Sequence, residues 1–388
     1  MIPKNEEKQR YQGFEQGPIR PPSEADSLLI RVTRNCPWNR CRFCPVYKGQ
    51  RFSLRPVDHV IEDIDRVQRY VAALREATGG TGRLTPAAVR LVGEKVAPRD
   101  DGAFQAALHW LSGGMRSIFL QDANSLIIKP EDLKQVLTHL RTCFPWVARI
   151  TSYARSHTVA RIAEEDLRAF ADAGLNRIHI GLESGSDQVL ASVQKGVTKA
   201  AHIKAGRKIK QAGMELSEYV MPGLGGRALS REHALETADA LNQIDPDFIR
   251  LRTLAIPNHT PLYEDFEASR FEKLTDREMA AETLLFLEHL EGIASYVKSD
   301  HILNLFQEVE GRLPGDKAAM TRVIRDFQAL APEDQVLYQV GRRLGYFTRL
   351  TDMAVPDRRA RVEEACRLYG IHAGNVDAAI DELMKRFI

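Results

Sequence analysis

Residues 28–44 read Leu-Leu-Ile-Arg-Val-Thr-Arg-Asn-Cys-Pro-Trp-Asn-Arg-Cys-Arg-Phe-Cys. Residues 28–33 are an apolar, β-branched run that reads as a strand, and it ends at a cysteine loop. Cys36, Cys41 and Cys44 are spaced C-x4-C-x2-C and are three of the chain's five cysteines, with Cys143 and Cys366. Thiolates that wrap one compact centre need short, turn-rich spacers, and this loop supplies them. A cubane iron–sulfur cluster held by three cysteines keeps one iron open for an external ligand. Other readings stay open here. Zinc takes a fourth ligand, and His59 forms no Cys–His pair that would complete a finger. A plain electron-transfer cluster wants four cysteines, and Cys143 or Cys366 would have to be the last. Three structural cysteines is the remaining option.

Working outward, strand-like runs at 117–121, 148–153, 177–183, 216–221 and 248–254 alternate with helical patterns. The helices fall at 57–77, 102–112, 130–141, 159–173, 199–212 and 230–243. Alternation of this kind means βαβ units and a parallel sheet. The expected fold class is α/β, an incomplete (β/α)6 parallel barrel followed by a helical C-terminal domain. The Gly-rich stretch 79–101 is long for a connection and has room for a short helix or a flap. The expected domains are a flexible arm at 1–26, a core at 27–268 and a helical domain at 269–388 with no strand. The composition is globular, 44% hydrophobic and 27% charged, and the net charge of +2 implies no acidic partner in bulk. The sequence has no 18-residue apolar run and no signal-peptide core, so a cytoplasmic protein without a membrane partner is expected.

Strand periodicity assigns faces. Ile178, Ile180 and Leu182 share one face, which should meet outer helices; His179, Gly181 and Glu183 share the other. Likewise Ile249, Leu251 and Thr253 should point outward, and Arg250 and Arg252 inward. Inward arginines need anionic partners. Either an ion-pair network supplies them, or an anionic substrate does. Tyr153 joins Arg250 and Arg252 as a substrate candidate, and so does His259, just past the sixth strand, although a surface loop is the plainer reading for it.

With an aromatic residue, Phe43, just before its last cysteine, the loop resembles that of the radical S-adenosylmethionine (radical SAM) superfamily. That superfamily commonly has C-x3-C-x2-C, so this sequence carries one additional residue. Strand ends add to the resemblance. The second ends Gln121-Asp122-Ala123-Asn124, where the superfamily often has Gly-Gly-Glu; Asp122 and Asn124 are the substitutes. The fourth ends Gly181-Leu182-Glu183-Ser184-Gly185-Ser186, similar to the cobalamin-dependent and methylthiolating branches. The fifth runs into Met221-Pro222-Gly223-Leu224-Gly225-Gly226, similar to the glycine motif beside the adenine.

The resemblance implies one [4Fe–4S] cluster on Cys36, Cys41 and Cys44, with S-adenosyl-L-methionine as cosubstrate. It implies that Phe43, Asp122, Asn124, Ser152, Arg155, Glu183, Ser184, Met221 and Gly223 line the cofactor site, Arg155 facing the methionine carboxylate. It also implies reduction by flavodoxin or ferredoxin, and a 5′-deoxyadenosyl radical that abstracts hydrogen from substrate. With two leftover cysteines no auxiliary cluster with three or four cysteine ligands is expected, and with 35 residues before Cys36 no cobalamin domain is expected there. The tail, lacking strands, is not expected to supply one either. A small anionic substrate is favoured. An RNA or protein substrate recognised by the helical tail is the alternative, with Arg342-Arg343 to Arg349 and Arg358 to Arg361 as a candidate basic face. A non-catalytic iron–sulfur or zinc protein is the alternative of another class.

Overall fold

A computed structural model describes residues 10–79 and 83–384. All six expected strands are present: β1 (Leu28–Arg31), β2 (Ser117–Gln121), β3 (Arg149–Ala154), β4 (Leu175–Glu183), β5 (Glu215–Val220) and β6 (Phe248–Leu251). The apolar side chains that define the pattern are the ones that leave water. Ile30, Ile118, Leu120, Ile150, Ile178, Ile180 and Leu182 are fully buried. Each such burial is worth about 1.5–3 kcal/mol. The long helices Val57–Ala77, Asp101–Ser112, Pro130–Cys143, Lys199–Gln211 and Gly226–Ile244 lie between the strands in sequence. Parallel neighbours require crossovers of this kind. The fold is α/β, with a mostly parallel, open sheet.

The described residues form two compact units of interleaved segments. The first holds the residues up to Asn39, Val46–His179 and Gln211–Met214. Its strand order is β1-β2-β3-β4, with Leu29 beside Phe119 and Phe119 beside Thr151 in parallel register. The second holds Arg40–Pro45, Ile180–Lys210 and the described residues from Glu215 onward. Its order starts with the end of β4 and continues β5-β6. Two further strands follow, β7 (Tyr296–Lys298), parallel to β6, and β8 (Gly311–Arg312), antiparallel to β7.

These last two correct the expectation of a strandless tail. Runs of three and two residues carry no periodic signal; pairing with β6 makes them strands. The helix expected at 159–173 is two, Ser156–Val159 and Glu164–Asp172. The acidic run Glu164-Glu165-Asp166 suits a fresh helix N-terminus, where the backbone dipole favours negative charge. The stretch 79–101 does contain a short helix, Pro86–Gly93, capped by the Thr85 hydroxyl accepting from the Ala88 amide.

The described part of the N-terminal arm is packed, not loose. Glu15 takes two hydrogen bonds from Arg34, at 2.8 and 2.6 Å. The Gln121 side-chain amide donates to the Gly17 and Ile19 carbonyls, at 3.2 and 2.6 Å. Glu24 is fully buried against Ser27 and Arg149. Among the described residues no helix is long and apolar enough to cross a membrane.

Candidate active site

The cysteine loop starts two residues after the paired stretch Thr33–Arg34, which forms a small antiparallel ribbon with Ser53–Leu54. Cys36, Cys41 and Cys44 all lie outside any disulfide and have intermediate exposure. The Asn39 amide donates to Cys36 Sγ at 3.4 Å, and its side-chain amide donates to the Tyr47 and Gln50 carbonyls at 2.5 and 3.3 Å. Asn39 has φ +47°, in the left-handed region that Asn tolerates better than most residues. The longer first spacer is thus accommodated as one left-handed step.

Beneath Cys36 lies a polar network. Asp122 is fully buried. Its Oδ2 accepts from Arg31 Nε and Nη2 at 2.9 and 2.7 Å and from the Asn35 amide at 3.2 Å. Its Oδ1 accepts from the Tyr47 hydroxyl at 2.8 Å. Burial, then the Asp122 charge, pushes the Tyr47 hydroxyl far above its ordinary range, so it stays a donor. Asp122 therefore braces the loop in place of offering a free carboxylate. Asn124 is likewise occupied: it donates to Thr158 Oγ1 at 2.8 Å and accepts from the Arg155 amide at 3.0 Å. It thereby positions Arg155, whose guanidinium lies 5.1 Å from the centre of the Trp38 ring. Ser152 pairs with Leu120 in register, so it leaves β3 on the face opposite Tyr153 and bonds only carbonyls there. Tyr153 packs edge-on against Phe119 and His179.

The other end of the loop is held differently. Phe43 belongs to an apolar cluster with Val189, Val193, Met221, Leu224, Leu254 and Leu262, and Cys41 and Cys44 pack against it. The Arg42 amide donates to the Val193 carbonyl at 2.9 Å and the Leu262 amide to the Arg42 carbonyl at 3.1 Å. The Arg42 guanidinium pairs with Asp265.

Around this cluster stand the motif residues of β4 and β5. Glu183 has φ +64°, and its carboxylate pairs with Lys195 at 2.9 Å, folding over Gly181, where a Cβ would lie 2.2 Å from Glu183 Oε1. Ser184 is spent on His233 Nδ1, at 2.8 Å, and His233 Nε2 lies 3.1 Å from the Met221 carbonyl. His233 thus bridges the Ser184 hydroxyl and the Met221 carbonyl, with Glu282 3.7 Å from its Nε2. Gly223 has φ +88°, and a Cβ there would lie 2.4 Å from Met279; its amide donates to Glu282 at 2.6 Å.

Register places Arg250 beside Tyr219 and Lys298 and places Glu218 beside Ile249, on the opposite face. Arg250 is buried, with Asp300 3.4 Å from its Nη1 and its Nε without a hydrogen-bond partner among the described residues. Arg252 is exposed, and so is His259, on the turn that follows. Sequence reasoning missed His301. Its Nδ1 accepts from the Leu303 amide at 3.3 Å. Burial, then the Arg252 charge, pushes its pKa down to about 4. The ring is therefore neutral near pH 7, with its proton on Nε2. Glu218 was missed as well. It is fully buried, and neither carboxyl oxygen has a hydrogen-bond partner among the described residues. Burial, then the Glu183 charge, pushes its pKa well above the ordinary glutamate value against the opposing Lys195. Neither residue sits in a motif with a readable spacing.

The candidate RNA face forms only in part: Arg349, Arg358 and Arg361 are exposed, whereas Arg342 and Arg343 are buried. Arg342 donates to the Leu305, Phe347 and Asn304 carbonyls, and Arg343 to Leu303 and Asp276, all from buried positions. Arg358 and Arg359 are paired with Asp352, Asp334 and Glu363.

Residues 106–241 match the model of the radical SAM superfamily, a match that begins beyond the cysteine loop. The tRNA uridine(34) acetyltransferases of Methanocaldococcus infernus and Methanocaldococcus jannaschii are each 22% identical, over 117 and 116 residues, or 30% of this chain. The chain matches only about a fifth of the length of those relatives, 22% and 21%. The radical S-adenosylmethionine methyltransferase TsrM from Kitasatospora setae is 15% identical with a TM-score of 0.43, over 87% of this chain and 61% of that one.

Proposed function

We propose that this chain is a radical SAM enzyme in which Cys36, Cys41 and Cys44 hold a single [4Fe–4S] cluster for action on a small anionic substrate. The observation that carries this reading is the donor set. Three partly accessible cysteines, none in a disulfide, share one short loop after β1, and Asn39 directs an N–H at one of them. That chemistry fits a cluster with one open iron better than a four-ligand zinc site. When bound, the cluster and S-adenosylmethionine, with an electron from flavodoxin or ferredoxin, supply a 5′-deoxyadenosyl radical for hydrogen abstraction.

The chain's own residues do the rest. Phe43 and Met221 wall off the loop with apolar surface. Gly223 lets backbone approach where a side chain would clash. Lys195 neutralises Glu183. Arg252 brings an exposed positive charge beside a neutral His301 that still has an N–H to donate. A carboxylate or phosphate satisfies both groups. A second reading, action on RNA, draws on the named activity of the two archaeal relatives. The buried and ion-paired arginines of the tail weigh against it.

The test is anaerobic reconstitution with iron and sulfide counting, followed by dithionite reduction. About four irons per chain are expected, with an EPR signal perturbed by S-adenosylmethionine and release of 5′-deoxyadenosine. Zinc without visible absorbance sinks the reading. Pools of small carboxylates and phosphates should stimulate 5′-deoxyadenosine release, and Arg252→Ala should blunt that stimulation. Stimulation by tRNA alone would transfer the assignment to the second reading.

A further inference from the structure

Three side chains outside every motif above converge on one point. Asp65 projects from the helix Val57–Ala77. His139 and Cys143 stand four residues apart on the helix Pro130–Cys143, so they lie one above the other on the same face. One ligand atom from each of the three lies within 4.8 Å of the others. Asp65 Oδ1 is 2.6 Å from His139 Nε2, and Cys143 Sγ is 3.5 Å from that same nitrogen.

The shared nitrogen separates two chemistries. In a nucleophile relay the acid and the attacking group take opposite nitrogens of the imidazole. Here the carboxylate and the thiol both face Nε2, which is how ligands gather round an ion. A tetrahedral zinc with bonds of about 2.0–2.3 Å sets its donors about 3.3–3.7 Å apart. The sulfur–nitrogen separation already falls in that range. Asp65 has to open by under about 1 Å, and it is exposed and free to turn. A His–Asp ion pair alone explains two of the residues and leaves the buried thiol beneath them without a role.

We propose that Asp65, His139 and Cys143 form a binding site for a thiophilic divalent transition metal of the zinc type, with a fourth position open to water. The donor set mixes sulfur, imidazole and carboxylate, which suits a borderline-soft dication over calcium or magnesium. On binding, the Cys143 S–H gives its proton to solvent as the metal–sulfur bond forms, and no electron moves. Thiolate and carboxylate together balance the ion's charge. The ion would clasp two helices of the first unit, so metal that binds only the folded chain stabilises it by mass action.

The test uses the full chain with Cys36, Cys41 and Cys44 changed to Ser, so that the loop does not compete. Cobalt(II) is the probe. One equivalent should bind and give thiolate charge-transfer bands with the visible spectrum of a four-coordinate ion. Adding Cys143→Ser should remove those bands; His139→Gln and Asp65→Asn should each weaken binding at least about tenfold. Cobalt that does not bind, or that gives no thiolate band, overturns the proposal, as does binding unchanged by Cys143→Ser. If the loop variant does not fold, the cluster-loaded wild type is passed through gel filtration with zinc and counted against Cys143→Ser. An extra zinc in the wild type supports the site, and equal counts overturn it.

Discussion

The two ends of the cysteine loop are held by opposite physics. At Cys36 the support is polar: Arg31, Asn35 and Tyr47 converge on the fully buried Asp122. At Cys41 and Cys44 it is apolar: Phe43 sits among Val189, Val193, Met221 and Leu262. A buried hydrogen-bonded carboxylate fixes direction and is costly to disturb, because each partner left behind is unsatisfied. An apolar socket fixes volume and excludes water, with little demand on angle. One end is aimed and the other is packed in apolar surface, and a loop that presents thiolates to a cluster, as proposed, would need both.

The harshest test removes the thiols. Cys36→Ala and Cys44→Ala should both bring 5′-deoxyadenosine formation to background, with iron content falling alike; an active Cys36→Ala chain would mean that the polar end carries no ligand. Next come the supports. Phe43→Ala should cost about 3–5 kcal/mol in urea melts, with no dependence on salt. Asp122→Ala, which strands the Arg31 charge, should cost about 3 kcal/mol, and that cost should shrink as salt is added. Equal salt responses would erase the contrast. Glu218 is a different case, since its folded pKa is raised. As pH rises past the ordinary carboxyl range, the unfolded chain loses this proton and the folded chain keeps it. Stability from this group is full at low pH and declines toward the folded pKa, by up to about 1.4 kcal/mol per pH unit. Glu218→Gln should therefore gain on the wild type as pH rises above the ordinary carboxyl range; parallel curves would show that Glu218 is ionised in the fold. Tyr47→Phe is the mildest, at about 1 kcal/mol for one lost hydrogen bond, read as a small drop in Tm.

Much of this was visible in the sequence, for reasons specific to each element. The six strands were legible because each is an apolar run with turn residues at its ends, and the helix Val57–Ala77 matches its pattern at both termini. The tail strands were not, because Tyr296–Lys298 becomes a strand only beside Phe248–Leu251. The role of Asp122 was hidden by distance: Arg31 and Tyr47 are 91 and 75 residues away along the chain. Arg342 and Arg343 looked like surface charge, since nothing in the sequence says that they turn inward to the carbonyls of Leu305 and Leu303. His301 lies outside any spacing rule, and its lowered pKa comes from burial and then from Arg252, a neighbour only in space.

Asn39 bears on how such chains are searched for. A signature written as a fixed number of letters between cysteines counts residues, whereas this loop spends one of them on a left-handed turn. The family match here comes through residues 106–241 and owes nothing to the loop. A pattern that allows C-x4-C-x2-C when the third spacer position is Asn, Asp or Gly would retrieve sequences that a strict C-x3-C-x2-C filter discards.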